Sequence, residues 1–248
     1  MPSAKFKTGA GRGWWYFSFF ILDFALRSGA VTTNDPATAE REGRELARQL
    51  CELRPEANLT NTGKLVIRTP KKPRQEIPFT SRILVTETNW TTVYEVIPGP
   101  NPPFTFSVEH RPGTPSRYSL TGTPLLPNDQ TMTPFAGSDF WLADLGLEFF
   151  HWPGQRLTKR EMRRGKSCQV LESRRPDSWT NGYARVVSWI HTESGAVVQA
   201  EAYDARGKLL KEFRPTAVEK VNGAWQLKEM EIENVQTGSR TTLAFDIT

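Results

Sequence analysis

The sequence predicts a mainly β fold of the α+β kind: a half-open antiparallel β-barrel, or curved sheet, with helices covering its concave face. Three observations predict it. Short runs rich in Thr, Val, Ile and aromatic residues follow one another from residue 59 to residue 247, with turn clusters between them. The helix-after-every-strand alternation of a parallel sheet is missing. One amphipathic helix and one almost wholly apolar segment are left over to supply the cover.

The first 30 residues read as a leader. Lys5, Lys7 and Arg12 precede an apolar stretch from Trp14 to Leu26, and Ser28-Gly29-Ala30 follow, so a signal peptide cut after Ala30 is expected. The thirteen apolar-stretch residues span only ~20 Å as a helix, short of the ~30 Å bilayer core. Asp23 and seven aromatic residues depart from an ordinary leader. An uncleaved membrane-targeting segment is therefore the alternative to export into the periplasm. No lipid-accepting cysteine follows the stretch. Residues 31–248 are expected to form one β domain.

The leader also explains the charge. The chain carries a net +5, of which Lys5, Lys7, Arg12 and Arg27 against Asp23 supply +3, leaving +2 for residues 31–248. Local basic clusters persist at Lys71, Lys72 and Arg74, and again from Arg156 to Lys166. Such runs form solvated faces or meet anionic headgroups. No nucleic-acid-binding module accompanies them, so nucleic acid is not an expected partner.

Next comes a helix with readable ends. Asp35 caps it, Pro36 suits its first position, and Pro55 closes it. Ala39, Gly43, Leu46, Leu50 and Leu53 recur at spacings of three and four, opposite a face of Glu and Arg. Strands are expected at 59–68, 77–87, 90–97, 104–110 and 116–120, and the Pro-rich stretch from 120 to 134 as a long surface loop. From residue 138 a second helix is expected, capped by Ser138 and running over 139–150. Only Asp144 and Glu148 make it polar, on one narrow face, which marks a buried helix.

The second half reads as a meander: strands at 156–163, 168–174, 183–191, 197–204, 216–221, 224–234 and 241–247. Asn222-Gly223 is a strong hairpin signal, because a type I′ turn needs positive φ at both positions. Trp225 and Leu227 share one parity while Met230 and Ile232 share the other, so a bulge near Lys228 and Glu229 is expected to restore a common face.

Several chemistries lack their residues. Cys51 and Cys168 have no CxxC spacing and no neighbouring histidines, which leaves burial or a long-range disulfide. His110, His151 and His191 fall in separate segments, and no HExxH, GxSxG or P-loop pattern occurs. Glu229, Glu231 and Glu233 alternate on one strand face, as solvated residues do. No enzyme and no cofactor is expected.

The order of motifs carries a resemblance. Gly137-Ser138-Asp139-Phe140, Asp144-Leu145 and Gly165-Lys166-Ser167-Cys168 come first, followed by Tyr183-Ala184-Arg185-Val186. Ala202-Tyr203-Asp204-Ala205-Arg206-Gly207, Met230-Glu231-Ile232-Glu233-Asn234 and Gly238-Ser239-Arg240-Thr241 complete the set. Over residues 137–247 the chain resembles the bacterial outer-membrane lipoprotein-sorting (LolA-like) proteins. That resemblance implies an incomplete barrel closed by helices, located in the periplasm. It also implies that the partners are acyl chains of lipoproteins or other lipids, with a membrane-protein donor or acceptor.

The residues alone leave two outcomes open: a packed interior plugged by the helices, or a sheltered cavity whose lid is the apolar helix. A cavity would have a use, since burying a 16-carbon acyl chain is worth on the order of 12 kcal/mol. Its expected lining is Trp141, Leu145 and Phe149 at i, i+4 and i+8, with Trp189, Trp225, Leu227, Met230 and Ile232 from the sheet. The alternative function is an envelope-sensing or protein-interaction module with a filled barrel and no ligand.

Overall fold

A computed structural model describes residues 35–96, 104–178, 182–221 and 224–246. The leader at 1–30, the Asn222-Gly223 turn and part of the Pro-rich stretch at 98–103 lie outside the described residues.

The chain begins its described part with helix α1 (Pro36–Cys51). Asp35 caps it as its sequence position requires: the carboxylate accepts from the N–H groups of Ala37 (3.3 Å) and Thr38 (3.0 Å). Among the described residues thirteen strands follow in one sheet. The first six are β1 (Leu59–Arg68), β2 (Gln75–Val85), β3 (Trp90–Val96), β4 (Thr105–His110), β5 (Arg117–Leu120) and β6 (Thr123–Leu126). After the short helix α2 (Leu142–Leu145) come β7 (Gly154–Arg163), β8 (Lys166–Arg174), β9 (Arg185–His191) and β10 (Val197–Tyr203). The last three are β11 (Leu209–Val221), β12 (Ala224–Asn234) and β13 (Ser239–Phe245).

Spatially the strands run β6-β5-β4-β3-β2-β1-β13-β12-β11-β10-β9-β8-β7. Two meanders are therefore joined by one long-range pairing, β1 with β13, in which Leu65 stands opposite Leu243. The sheet does not close on itself, because β6 and β7 are its two edges. Alternate residues of the strands turn inward to one apolar core, exemplified by Leu65, Phe79, Phe106, Tyr118, Ile190 and Leu243. The half-open antiparallel fold expected from the sequence is the fold observed.

Three local expectations are corrected. The stretch from 120 to 134 is not all loop: β6 pairs with β5 through Tyr118 and Leu126. The strand expected at 216–221 begins at Leu209, because Pro215 is accommodated where the β11–β12 register shifts. Most consequential, residues 139–150 do not form one helix. Helix α2 stops at Leu145, Leu147 takes a left-handed φ of 50°, and a separate 3-10 turn spans Glu148–His151. The cause is packing at Gly146. A Cβ there would lie 2.5 Å from the Tyr118 ring, so the chain is pressed against β5 and must leave the helical path.

The expected bulge is present. Ala217 pairs with Glu229 and Val218 with Leu227, which leaves Lys228 as an extra residue. Leu227, Met230 and Ile232 consequently all point into the core. Cys51 and Cys168 are free thiols. Cys168 packs with Val170 and Trp189 in a small cluster on the opposite face of the sheet from the core.

Candidate functional site

Residues 127–153 connect the two edge strands, and they do so across the inner face of the sheet. This crossing segment contains only α2 and three single 3-10 turns. Its apolar side chains fill the barrel. Phe135 lies against Tyr94, Phe104 and Phe106, and Phe140 meets Phe213 edge-on. Phe149, Phe150 and Trp152 lie in the same core, where their turn packs against α1 and Gln155 of β7 donates to their backbone carbonyls.

Polar side chains pin this segment at defined points. Asp139 accepts from the hydroxyls of Ser239 (2.5 Å) and Thr241 (2.9 Å) on β13. Its backbone carbonyl accepts from Lys211 Nζ of β11 at 2.6 Å. The same ammonium lies 3.5 Å above the Trp141 ring and 3.7 Å from the Asp144 carboxylate. Asp144 also accepts from the Tyr183 hydroxyl (2.9 Å) and the Trp141 N–H (2.7 Å). The Trp141 and Tyr183 rings stack at 4.5 Å. Lys211 is thus a cation of the sheet whose partners belong chiefly to the crossing segment.

Burial dominates the electrostatics of this group. It raises the Asp144 pKa, against the pull of the Lys211 charge and the hydrogen bonds. It lowers Lys211 to about 8, against the attraction of Asp144 and Asp139. Both partners are therefore displaced toward their neutral forms, and their mutual contact is what keeps the ion pair in place.

A second pin sits nearer the β4–β5 turn. Glu148 accepts from the Tyr118 hydroxyl (2.6 Å) and from Asn128 Nδ2 (2.9 Å), and burial raises its pKa to about 7. Beside it the Ser116 hydroxyl lies 3.0 Å from His110 Nδ1 and 3.1 Å from His151 Nε2. Burial holds both imidazoles in the neutral form, His110 at about 3 and His151 at about 4. Among the described residues no group of three His, Cys, Asp or Glu side chains is arranged to hold a metal ion.

Between the segment and the sheet remains a cavity of about 20 Å³. Its walls are mostly apolar, including Phe149, Val186, Ala200, Phe213 and Ile232, with Asp144, Tyr183 and Lys211 on one side. That volume accommodates about one water molecule. In this state the barrel is filled by its own chain.

The residues expected from the sequence as a lining are distributed unevenly. Phe149 and Ile232 reach the cavity. Leu145, Leu227 and Met230 are buried in the surrounding core, and Trp141 is half-buried against it. The i, i+4, i+8 face of Trp141, Leu145 and Phe149 does not exist, because the helix that would carry it is broken at Gly146. Trp189 belongs to the opposite face of the sheet, where it donates to Glu161 (2.6 Å) under Arg163. Trp225 is 51% exposed, on the part of the β11–β12 hairpin that extends past its neighbours. The pins Lys211, Tyr183 and Asp139 were not among the expected site residues. Their only sequence signal was a lysine sharing the parity of inward-facing Phe213 and two acids in an otherwise apolar segment.

The comparisons place this architecture among known proteins. A family model described as "-like: Uncharacterized protein" matches residues 123–248. Among solved structures, a domain assigned as an outer membrane lipoprotein-sorting protein from Vibrio parahaemolyticus is similar, with a TM-score of 0.68 at 20% identity, covering 84% of this chain and 92% of that one. A DUF1329 family protein from Desulfovibrio piger aligns with a TM-score of 0.66 at 16% identity, over 84% and 91% of the two chains. A LolA superfamily protein from Nitrosomonas europaea gives 0.57 at 16% identity, over 84% and 92%. No curated protein matches the chain. At these identities the likeness is one of fold, and the fold is LolA-like.

Proposed function

The chain belongs to the family whose model spans residues 123–248, and on that premise we propose that it is an exported carrier of lipid or acylated protein, acting in lipoprotein sorting or envelope lipid traffic. The observation that carries the proposal is the crossing segment. A broad apolar sheet face is covered by a stretch with little regular structure, held at its polar positions by Lys211, Asp139, Asp144 and Glu148. Swinging that stretch aside would uncover contiguous apolar surface on the scale an acyl chain needs. A ligand that binds only the opened state draws the population toward it, and its ~0.8 kcal/mol per buried CH₂ offsets the lost pins.

The similar fold of a lipoprotein-sorting domain supports an acylated cargo, and the expected leader supports an extracytoplasmic site of action. Donor and acceptor membrane proteins complete the reading. The filled interior favours a second reading, an interaction or sensing module that never opens.

Native mass spectrometry after gentle purification distinguishes the two. The carrier is expected to retain lipid, and its tryptophan emission is expected to shift on adding an acylated peptide, because Trp141 lies on the moving segment. Absence of both signals would overturn the carrier and leave the filled module.

A further inference from the structure

Three turns meet at one end of the sheet: β1–β2 (69–74), β10–β11 (204–208) and β12–β13 (235–238). They are in mutual contact. A Cβ on Gly238 would lie 3.4 Å from Pro70, and Gln236 Nε2 donates to Asp204 (3.0 Å) and to the Leu209 carbonyl (3.2 Å). This end presents Lys71, Lys72, Arg206 and Lys208, with Arg68 and Arg240 at the adjoining strand ends, all exposed.

The charges here are matched more weakly than elsewhere. On other parts of the sheet, cations meet carboxylates, as in Arg82–Glu95, Arg163–Glu201 and Arg214–Glu231. Arg68 and Arg240 stand directly opposite each other in the β1–β13 register, where like charges repel, and Arg240 reaches a carboxylate only at 4.0 Å, that of Glu231, which Arg214 already holds at 2.8 Å. Asp204 is the sole carboxylate in the three turn sequences. It is occupied by Gln236 and by the N–H groups of Arg206 and Lys208.

Backbone conformation adds an independent observation. The Lys72 N–H donates to the Thr69 carbonyl at 3.1 Å, which closes a four-residue turn with Pro70 second and Lys71 third. Lys71 has a φ of 61°, a conformation that favours glycine at that turn position. The chain thus keeps a lysine where local stability favours glycine.

We propose that this basic end is a docking surface for the anionic phospholipid headgroups of a membrane. The cations sit on turn tips, and a headgroup layer is a mobile array of phosphates that demands charge without fixed shape. Val235, 38% exposed on the β12–β13 turn, adds an apolar contact among them. The surface is separate from the cavity, so it stands or falls apart from the carrier reading.

Co-sedimentation of the full chain with vesicles tests it. Vesicles of equal phosphatidylglycerol and phosphatidylcholine are expected to bind the protein, increasingly weakly as salt rises, while pure phosphatidylcholine vesicles do not. Arg68→Ser, Lys72→Ser and Arg240→Ser are each expected to lower the partition coefficient about fivefold. Lys71→Gly should lower it similarly while raising the urea midpoint, a combination that loss of folding cannot produce. Arg82→Ser serves as the control and should bind like the parent. Equal binding to both vesicle types, unchanged binding by a folded variant combining Arg68→Ser, Lys72→Ser and Arg240→Ser, or a preference for polyglutamate over the anionic vesicles would each overturn the proposal.

Discussion

Lys211 illustrates how one side chain can tie a segment to a sheet. Its side chain is 2% exposed, and the ammonium meets a carbonyl, a carboxylate and an indole face, all from the crossing segment. Lys211→Met should destabilise the fold by about 3 kcal/mol, since removing one partner strands the other charge. Asp144→Asn in the same chain should cost less than the sum of the single changes, because it removes that charge while an amide oxygen can still accept from Tyr183. Urea unfolding of the two single variants and the double variant measures the coupling. The second pin makes stability depend on pH in opposing ways. His110 and His151, held neutral down to about 3 and about 4, favour folding as pH rises through their unfolded value of 6.5. Glu148, raised from 4.5 to about 7, loses stability as pH rises across that same window. Two histidines outweigh one glutamate, so these groups together make stability increase between pH 4.5 and 6.5 with about one net proton taken up on unfolding. Glu148→Gln removes the opposing contribution and should bring that number to about two. Unfolding free energies at three pH values across the window read the slope, and an unchanged slope would count against the buried Glu148 assignment.

At the scale of elements, glycine and burial decide outcomes that propensity does not. Gly43 lies inside α1, where alanine would ordinarily gain about 1 kcal/mol of helix propensity. Yet a Cβ at that position would stand 2.5 Å from the Arg156 backbone. Backbone cannot yield as a side chain can, so Gly43→Ala is expected to lower the thermal midpoint, with a net loss of about 1–3 kcal/mol. The hairpin β11–β12 offers a paired comparison. Met230 is fully buried, and Met230→Ala should cost about 2–5 kcal/mol. Trp225 is half-exposed, and Trp225→Ser should stay within about 0.5 kcal/mol of the parent. Equilibrium denaturation of the two variants tests whether the bulge at Lys228 apportions the faces as described. Helix α1 was legible because its cap, its periodicity and its closing proline are all local signals. The 139–150 segment was not, because a Tyr118 ring from β5 breaks the helix, and no local pattern announces a contact across that distance.

At the scale of the molecule, the β1–β13 pairing joins two meanders that are otherwise consecutive hairpins. Deleting Ser239–Phe245 would open the edges of both β1 and β12 and remove the Ser239 and Thr241 anchors of Asp139. The truncated chain is expected to lose its cooperative thermal transition by circular dichroism, whereas a chain of two independent halves would keep it. The sequence by itself determined the antiparallel strands, the bulge that unites Leu227, Met230 and Ile232, and the burial of the segment holding Trp141, Leu145 and Phe149. Alternation and turn chemistry act between near neighbours, so they can be read along the chain. Only the tertiary structure decided that the segment is a pinned crossing strap, that Lys211 pins it, that Trp189 and Trp225 stand away from the cavity, and that the basic turns share one end. Each of these depends on which strands lie side by side and how far the sheet curves, and residues far apart in sequence set both.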